Sequence, residues 1–216
     1  MAGFLLFLFW HKRSAHGLVF LFNDLKAVGR KTHGFFFEVF NNMNIVLIGY
    51  RCCGKSSVGK RIAEKLGRRF IDSDDLIIEK AGLSINEMVK EKGWPYFRAL
   101  EKEVIKEISA EDNLVIATGG GVITDETNII NLKANGFIVW LDADIETIKK
   151  RLKGDNASIE NRPSLTGDNP VDEIREVMEK RRPVYRQACN ISIDTDKMNI
   201  NDVADMIIYK LKKLEG

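Results

Sequence analysis

The chain has 216 residues, 44% of them hydrophobic and 30% charged, which is ordinary for a soluble globular protein and enough for one well-cored domain with an appendage. The net charge of +2 is unevenly spread: five Lys/Arg against two Asp/Glu give +3 over residues 1–42 and leave −1 for the rest, so the body lacks the basic face that nucleic-acid binding requires. No run reaches the ~20 apolar residues of a bilayer span, and the apolar stretch Phe4 to Trp10 has its basic residues after it, the reverse of a secretory signal.

Residues 1–42 hold nine of the twelve phenylalanines and all three histidines, with no helical or strand period. This segment is expected to be an N-terminal extension outside the fold, read as upstream sequence ahead of a start at Met43. A membrane-surface anchor or an orderable extension are the alternatives.

From Asn44 the pattern alternates strand and helix. Asn44–Ile48 is a short, wholly apolar run ended by Gly49, as expected of a buried parallel strand. Lys55–Leu66 has helical spacing (Val58, Ile62, Leu66) and stops at Gly67. Arg69–Asp72 reads as a second strand, followed by helices over Asp75–Ala81, Ser84–Lys92 and Pro95–Ser109. Leu114–Ala117 is a third strand, Asp125–Asn135 a helix and Phe137–Leu141 a fourth strand. Helices over Ile145–Leu152 and Val171–Gln187, a strand at Asn190–Ile193 and a helix from Asn201 complete the series. Strands separated by helices imply βαβ units and a parallel sheet covered on both faces. Gly154–Asn169 has few apolar residues and an Arg162-Pro163 step, and is expected to be a mobile loop.

Three motifs carry chemistry. Gly49-Tyr-Arg-Cys-Cys-Gly54-Lys55-Ser56 matches G-x-x-x-x-G-K-[ST], with a strand before it and a helix after it. Backbone N–H groups of such a loop face the phosphates of ATP, and the helix N-terminus adds positive potential. Lys55 would bridge the β- and γ-phosphates, and the Ser56 hydroxyl would ligate Mg²⁺. The ATP site is thus expected over Cys52, Cys53, Gly54, Lys55, Ser56 and Ser57. A thiol near a helix N-terminus can be activated, but here Cys52 and Cys53 are read as contributing backbone N–H groups only. The second motif, Phe70-Ile-Asp72-Ser-Asp74-Asp75, puts carboxylates at the carboxyl end of the second strand, the edge of a parallel sheet where ligands bind. Since no acidic residue ends Leu114–Ala117, Asp72 is the candidate for the strand-terminal carboxylate of the Mg²⁺ site. The third, Thr118-Gly119-Gly120-Gly121, follows a buried strand by one residue, where exposed backbone can approach a ligand closely.

On residues alone, several P-loop readings stand: a kinase of a polyol acid, a gluconate or nucleoside monophosphate kinase, or a regulatory module that binds nucleotide without catalysis. From Met43 on there is no histidine, which excludes a His-based mechanism there. Three cysteines, two of them adjacent, form no disulfide framework and point to a reducing, cytoplasmic setting.

In this order, the motifs resemble the shikimate kinase family, over about Met43 to Leu211. The resemblance rests on the phosphate loop, the Asp72-x-Asp74 pair, Gly93-Trp-Pro-Tyr-Phe97-Arg98-Ala-Leu-Glu101, Thr118-Gly-Gly-Gly121, Arg162-Pro163 and Lys180-Arg181-Arg-Pro-Val-Tyr185. It implies MgATP-dependent phosphorylation of the 3-hydroxyl of shikimate, without nucleic acid or membrane, by a monomer. The implied fold is a P-loop three-layer α/β/α domain, with a five-stranded parallel sheet ordered 2-3-1-4-5. Residues 43–216 would form it, with substrate-binding helices over about 74–109 and a lid over about 154–169. It also implies that Ser56 ligates Mg²⁺ directly and Asp72 through water, and that Asp74 binds the shikimate hydroxyls and orients the attacking one. Arg98 and Arg181 would grip the carboxylate, backbone at Gly120 would touch substrate, and Arg162 of the lid would reach the ATP phosphates. One departure stands out: the family commonly has Glu after the glycine of its Gly-Glu…Phe-Arg stretch, where this chain has Trp94.

Overall fold

The structure, a computed structural model, describes residues 42–154 and 173–215. Nearly all of the N-terminal extension, and the lid with Arg162, therefore lie outside the described residues.

Five strands form one sheet: β1 (Asn44–Ile48), β2 (Arg69–Asp72), β3 (Leu114–Ala117), β4 (Gly136–Asp142) and β5 (Ile191–Asp194). Their order is β2-β3-β1-β4-β5, and every pairing is parallel. The helices are α1 (Lys55–Leu66), α2 (Ser73–Ala81), α3 (Ile85–Ser109), α4 (Glu126–Ala134), α5 (Ile145–Lys153), α6 (Ile174–Ala188) and α7 (Ile200–Glu215), with a 3₁₀ turn at Val122–Thr124.

Alternate residues of a strand face opposite sides of a sheet, and the two central strands divide their side chains accordingly. Ile45, Leu47, Phe137, Val139 and Leu141 join one core with α1, α5 and α7. Val46, Ile48, Ile138 and Trp140 join the other with α2, α3 and α4. Helix α6 serves both, giving Val177 and Met178 to the first and Tyr185 and Ala188 to the second. With both faces covered, every residue of β1 is buried. This explains its unbroken apolar sequence; truncating Leu47 to alanine would cost about 2–5 kcal/mol.

Local signals set the element ends. Gly67 closes α1 in the left-handed conformation, its N–H shared between the carbonyls of Ala63 and Glu64. Ser84 opens α3 with a capping box, its hydroxyl accepting from Glu87 N at 3.3 Å while Glu87 Oε2 accepts from Ser84 N at 2.8 Å. Helix α3 is two helices in one span, broken at Gly93, whose φ of 80° and ψ of 168° are not helical. That break matches the expected gap between Lys92 and Pro95, and Pro95 sits where a helix first turn tolerates it. Among the described residues no helix is long and apolar enough to cross a membrane.

Candidate active site

The loop between β1 and α1 turns so tightly that Gly54, at φ 93°, occupies a conformation few side chains permit. From there Val58 N donates to Gly54 O at 2.8 Å, starting α1 with its amino end toward the loop. Lys55 is 7% exposed, and its ammonium donates to the Tyr50 carbonyl at 2.8 Å, arching back across the loop. A cleft runs along the outside, lined by Cys52, Cys53, Gly54, Lys55, Ser56, Ser57, Asp72 and Thr118 among others. The six phosphate-loop residues expected to hold ATP are therefore brought together, while Arg162, the seventh, lies outside the described residues. Cys53 is buried, and burial raises its thiol to about 11, so at neutral pH it is an inert thiol, in keeping with a backbone role.

The Ser56 hydroxyl donates to Asp72 Oδ2 at 2.5 Å, while Asp72 Oδ1 caps α2 by accepting from Asp74 N at 3.1 Å. The start of α1 and the end of β2 thus place a hydroxyl and a carboxylate side by side at the phosphate cleft. Both are hard oxygen donors, the class Mg²⁺ takes. No group of three or more His, Cys, Asp and Glu side chains among the described residues could hold a metal alone. Such a thin donor set suits an ion completed by waters and nucleotide phosphates.

A second cleft opens on the other side of the loop. It is lined by Asp74, Trp94, Phe97, Arg98, Glu101, the three glycines Gly119, Gly120 and Gly121, and Arg181. Helix α2 brings Asp74, α3 brings Arg98, and α6 brings Arg181, so the residues expected to bind the acceptor meet in one place. Arg98 pairs with Glu101 one turn on, Nη1 to Oε2 at 2.7 Å. Glu101 is 1% exposed, and burial raises its carboxyl above the ordinary range against the pull of Arg98. Arg181 Nη1 donates to Gly120 O at 3.1 Å, and the Tyr185 hydroxyl donates to the same oxygen at 2.5 Å. The glycine run is needed for its lack of side chains. A Cβ on Gly119 would fall 2.6 Å from Asp74 Oδ1, and one on Gly121 would fall 2.5 Å from Arg98 Nη2.

The sequence reading assigned no role to several residues that the structure brings to the clefts. Arg51, in the phosphate loop, lines the acceptor cleft and forms a buried ion pair with Glu173 at the head of α6. Arg151 lines the phosphate cleft and donates to Cys52 O at 3.3 Å and to Thr195 O at 2.7 Å, with Asn199 and Ile200 beside it. Only the arginine of the phosphate-loop motif itself lay close enough in sequence to be suspected.

A family model described as Shikimate kinase matches residues 51–212. The chain is similar to the shikimate kinase of Symbiobacterium thermophilum, 40% identical over 171 residues that make up 79% of this chain and 97% of that one. It is 41% identical to the shikimate kinase of Sulfurihydrogenibium over 170 residues, 79% of this chain and 98% of that one. Among solved structures it is similar to shikimate kinase from Acinetobacter baumannii in complex with shikimate, at TM-score 0.75 and 34% identity, covering 82% of this chain and 97% of that one. A shikimate kinase structure from Bacteroides thetaiotaomicron matches at TM-score 0.70 and 29% identity over 79% of this chain and 99% of that one.

Proposed function

The chain belongs to the shikimate kinase family and phosphorylates shikimate with ATP; on that premise we propose that Asp74 orients the 3-hydroxyl for attack while Lys55 neutralises charge on the transferred group. The 3-hydroxyl would give its proton to the Asp74 carboxylate and its oxygen would bond to the γ-phosphorus as the bond to the β–γ bridging oxygen breaks, releasing ADP and shikimate 3-phosphate. Such transfers need in-line positioning and charge neutralisation rather than covalent help from the protein. The observation that carries the reading is the single acceptor cleft holding a buried carboxylate, Asp74, beside two arginines, Arg98 and Arg181, next to the phosphate loop. That combination suits an acceptor with one carboxylate and several hydroxyls. Arginine presents the planar fork a carboxylate takes in two-point pairing.

Ser56 and Asp72 would hold Mg²⁺, which when bound offsets charge on the β- and γ-phosphates. The amide groups from Cys52 to Ser57 would cradle the nucleotide, Gly120 would present its backbone to the acceptor, and Arg162 would reach the ATP phosphates from the lid. Residues 43–216 would make up the catalytic unit, with residues 1–42 outside it. In support, the relatives are covered over nearly their whole length by about 170 residues of this chain. The catalytic unit would work as a monomer. Cys52, Cys53 and Cys189 form no disulfide, which suits the cytoplasm.

A coupled ADP-release assay tests the reading with shikimate, gluconate and nucleoside monophosphates offered separately. Shikimate alone should support turnover. Equal turnover with gluconate or a nucleotide would refute the acceptor assignment.

A further inference from the structure

We propose that Trp94 is a specificity-determining positioning residue: its indole face steadies the Arg98 guanidinium without neutralising it, so that Arg98 keeps its charge for the acceptor's carboxylate. The inference rests on the shikimate reading above and concerns how this chain builds that grip.

The geometry starts from the break in α3. Gly93 interrupts the helix, and the second half begins beside it with Trp94, Phe97 and Arg98 at positions i, i+3 and i+4, one above another on a single face. The Arg98 carbon between the guanidinium nitrogens lies 5.3 Å from the Trp94 ring centre and 5.1 Å from that of Phe97. The two rings meet edge to face, centres 5.7 Å apart at 83°. Gly121 also abuts the guanidinium, so close that a methyl there would strike both terminal nitrogens of Arg98. Arg98 is thus held by two rings, by backbone and by one carboxylate, that of Glu101.

Charge decides what that arrangement does. Arg98, Arg181, Asp74 and Glu101 line the cleft and together sum to zero, and the Arg51–Glu173 pair is neutral within itself. An aromatic face attracts a cation through its quadrupole and brings no net charge. A carboxylate at position 94 would also hold Arg98, but it would leave the cleft negative before an anionic acceptor arrives. Trp94 is half-buried and lines the same cleft, so it supplies orientation and an apolar wall together.

Calorimetric titration of the full chain with shikimate, and with its neutral carboxamide analogue, tests this on Trp94→Phe, Trp94→Leu and Trp94→Glu. Trp94→Phe keeps a ring and should bind shikimate within about threefold of wild type, while Trp94→Leu, apolar without a ring face, should weaken it about five- to tenfold. The KM for ATP and kcat at saturating shikimate should stay near wild type in both. Trp94→Glu should weaken shikimate about tenfold or more while barely changing the carboxamide, because the added charge opposes only the anion. Shikimate affinity in Trp94→Leu equal to wild type would overturn the proposal. So would equal weakening of both acceptors by Trp94→Glu, since that marks a packing defect. If Trp94→Glu melts at assay temperature, the Phe and Leu pair still decides. Wild type that fails to bind shikimate at all would instead remove the acceptor assignment.

Discussion

Gly119 lies so close to Asp74 that a Cβ on the glycine would sit 2.6 Å from the carboxylate Oδ1. Two residues along, Gly121 stands in the same relation to Arg98, 2.5 Å from Nη2. On the roles proposed for Asp74 and Arg98, the two glycines would guard different halves of the acceptor, and the two substitutions should fail differently. Gly119→Ala should displace Asp74 and lower kcat about a hundredfold, as expected for misplacing a reacting group by about 1 Å. Gly121→Ala should displace Arg98 and raise the KM for shikimate about tenfold with a smaller effect on kcat. Steady-state kinetics with shikimate varied would separate them; identical profiles would contradict this division.

Lys55 reaches back to the Tyr50 carbonyl, so its ammonium already stands over the loop that would receive the phosphates. Lys55→Ala should lower turnover by about a hundredfold to a thousandfold, the usual loss when one stabilising donor is removed. Circular dichroism should show an intact fold. Near-normal turnover at saturating shikimate would rule out the assigned role.

Tyr185 is fully buried and stacks on Trp140 at 5.8 Å, and its hydroxyl shares the Gly120 carbonyl with Arg181. If Arg181 turns to an acceptor carboxylate, as proposed, the phenol would keep that carbonyl paired. Tyr185→Phe preserves the stack and removes only the second donor. Arg181 then becomes the carbonyl's sole side-chain donor among the described residues, and the KM for shikimate should rise about threefold to tenfold, with stability lower by about 1 kcal/mol. Unaltered shikimate affinity would indicate that the hydroxyl serves packing alone.

Burial raises the Glu101 carboxyl above its ordinary 4.5, with Arg98 pulling the other way. Between the ordinary value and the raised one, the folded chain binds a proton that the unfolded chain has released. Stability from this group therefore falls as pH rises through that window and levels off above it. Urea unfolding of wild type and Glu101→Gln, from pH 4.5 upward, should show the wild-type advantage shrinking toward neutral pH. An advantage that grows with pH would mean that the pairing with Arg98 outweighs burial.

Much of the fold was legible because its signals are local. The bounds of β1, α1, β2 and β3 agree residue for residue with the apolar runs and the closing Gly67, and the gap between Lys92 and Pro95 marked the break at Gly93. Helix α2 starts two residues earlier than its periodicity suggests, since Asp72 caps it from the end of β2. The named site residues among those described converged because each follows a strand end or lies on a helix at that edge. Illegible were pairings that only the folded chain makes. Arg51 meets Glu173 across 122 residues, and Arg151 meets Cys52 across 99. No spacing rule reaches that far, and Arg151 alone reads as an ordinary surface charge.

In the sheet order, β3 is inserted between β1 and β2, so neither earlier strand has any strand partner until it arrives. During synthesis the chain from Asn44 to Asp112 must wait without a sheet. At the usual ~5–20 residues per second, the stretch from β1 to β3 takes several seconds to emerge. Through that interval the apolar edge of β1 is open to pairing with other chains. Closing a contact such as Val46 with Ile116 also carries the entropy of a long loop, which slows folding relative to helical neighbours in sequence. A fragment ending at Ser109 should therefore show no cooperative unfolding and should aggregate on heating, although it carries the whole phosphate loop and both carboxylates of the Asp72–Asp74 pair.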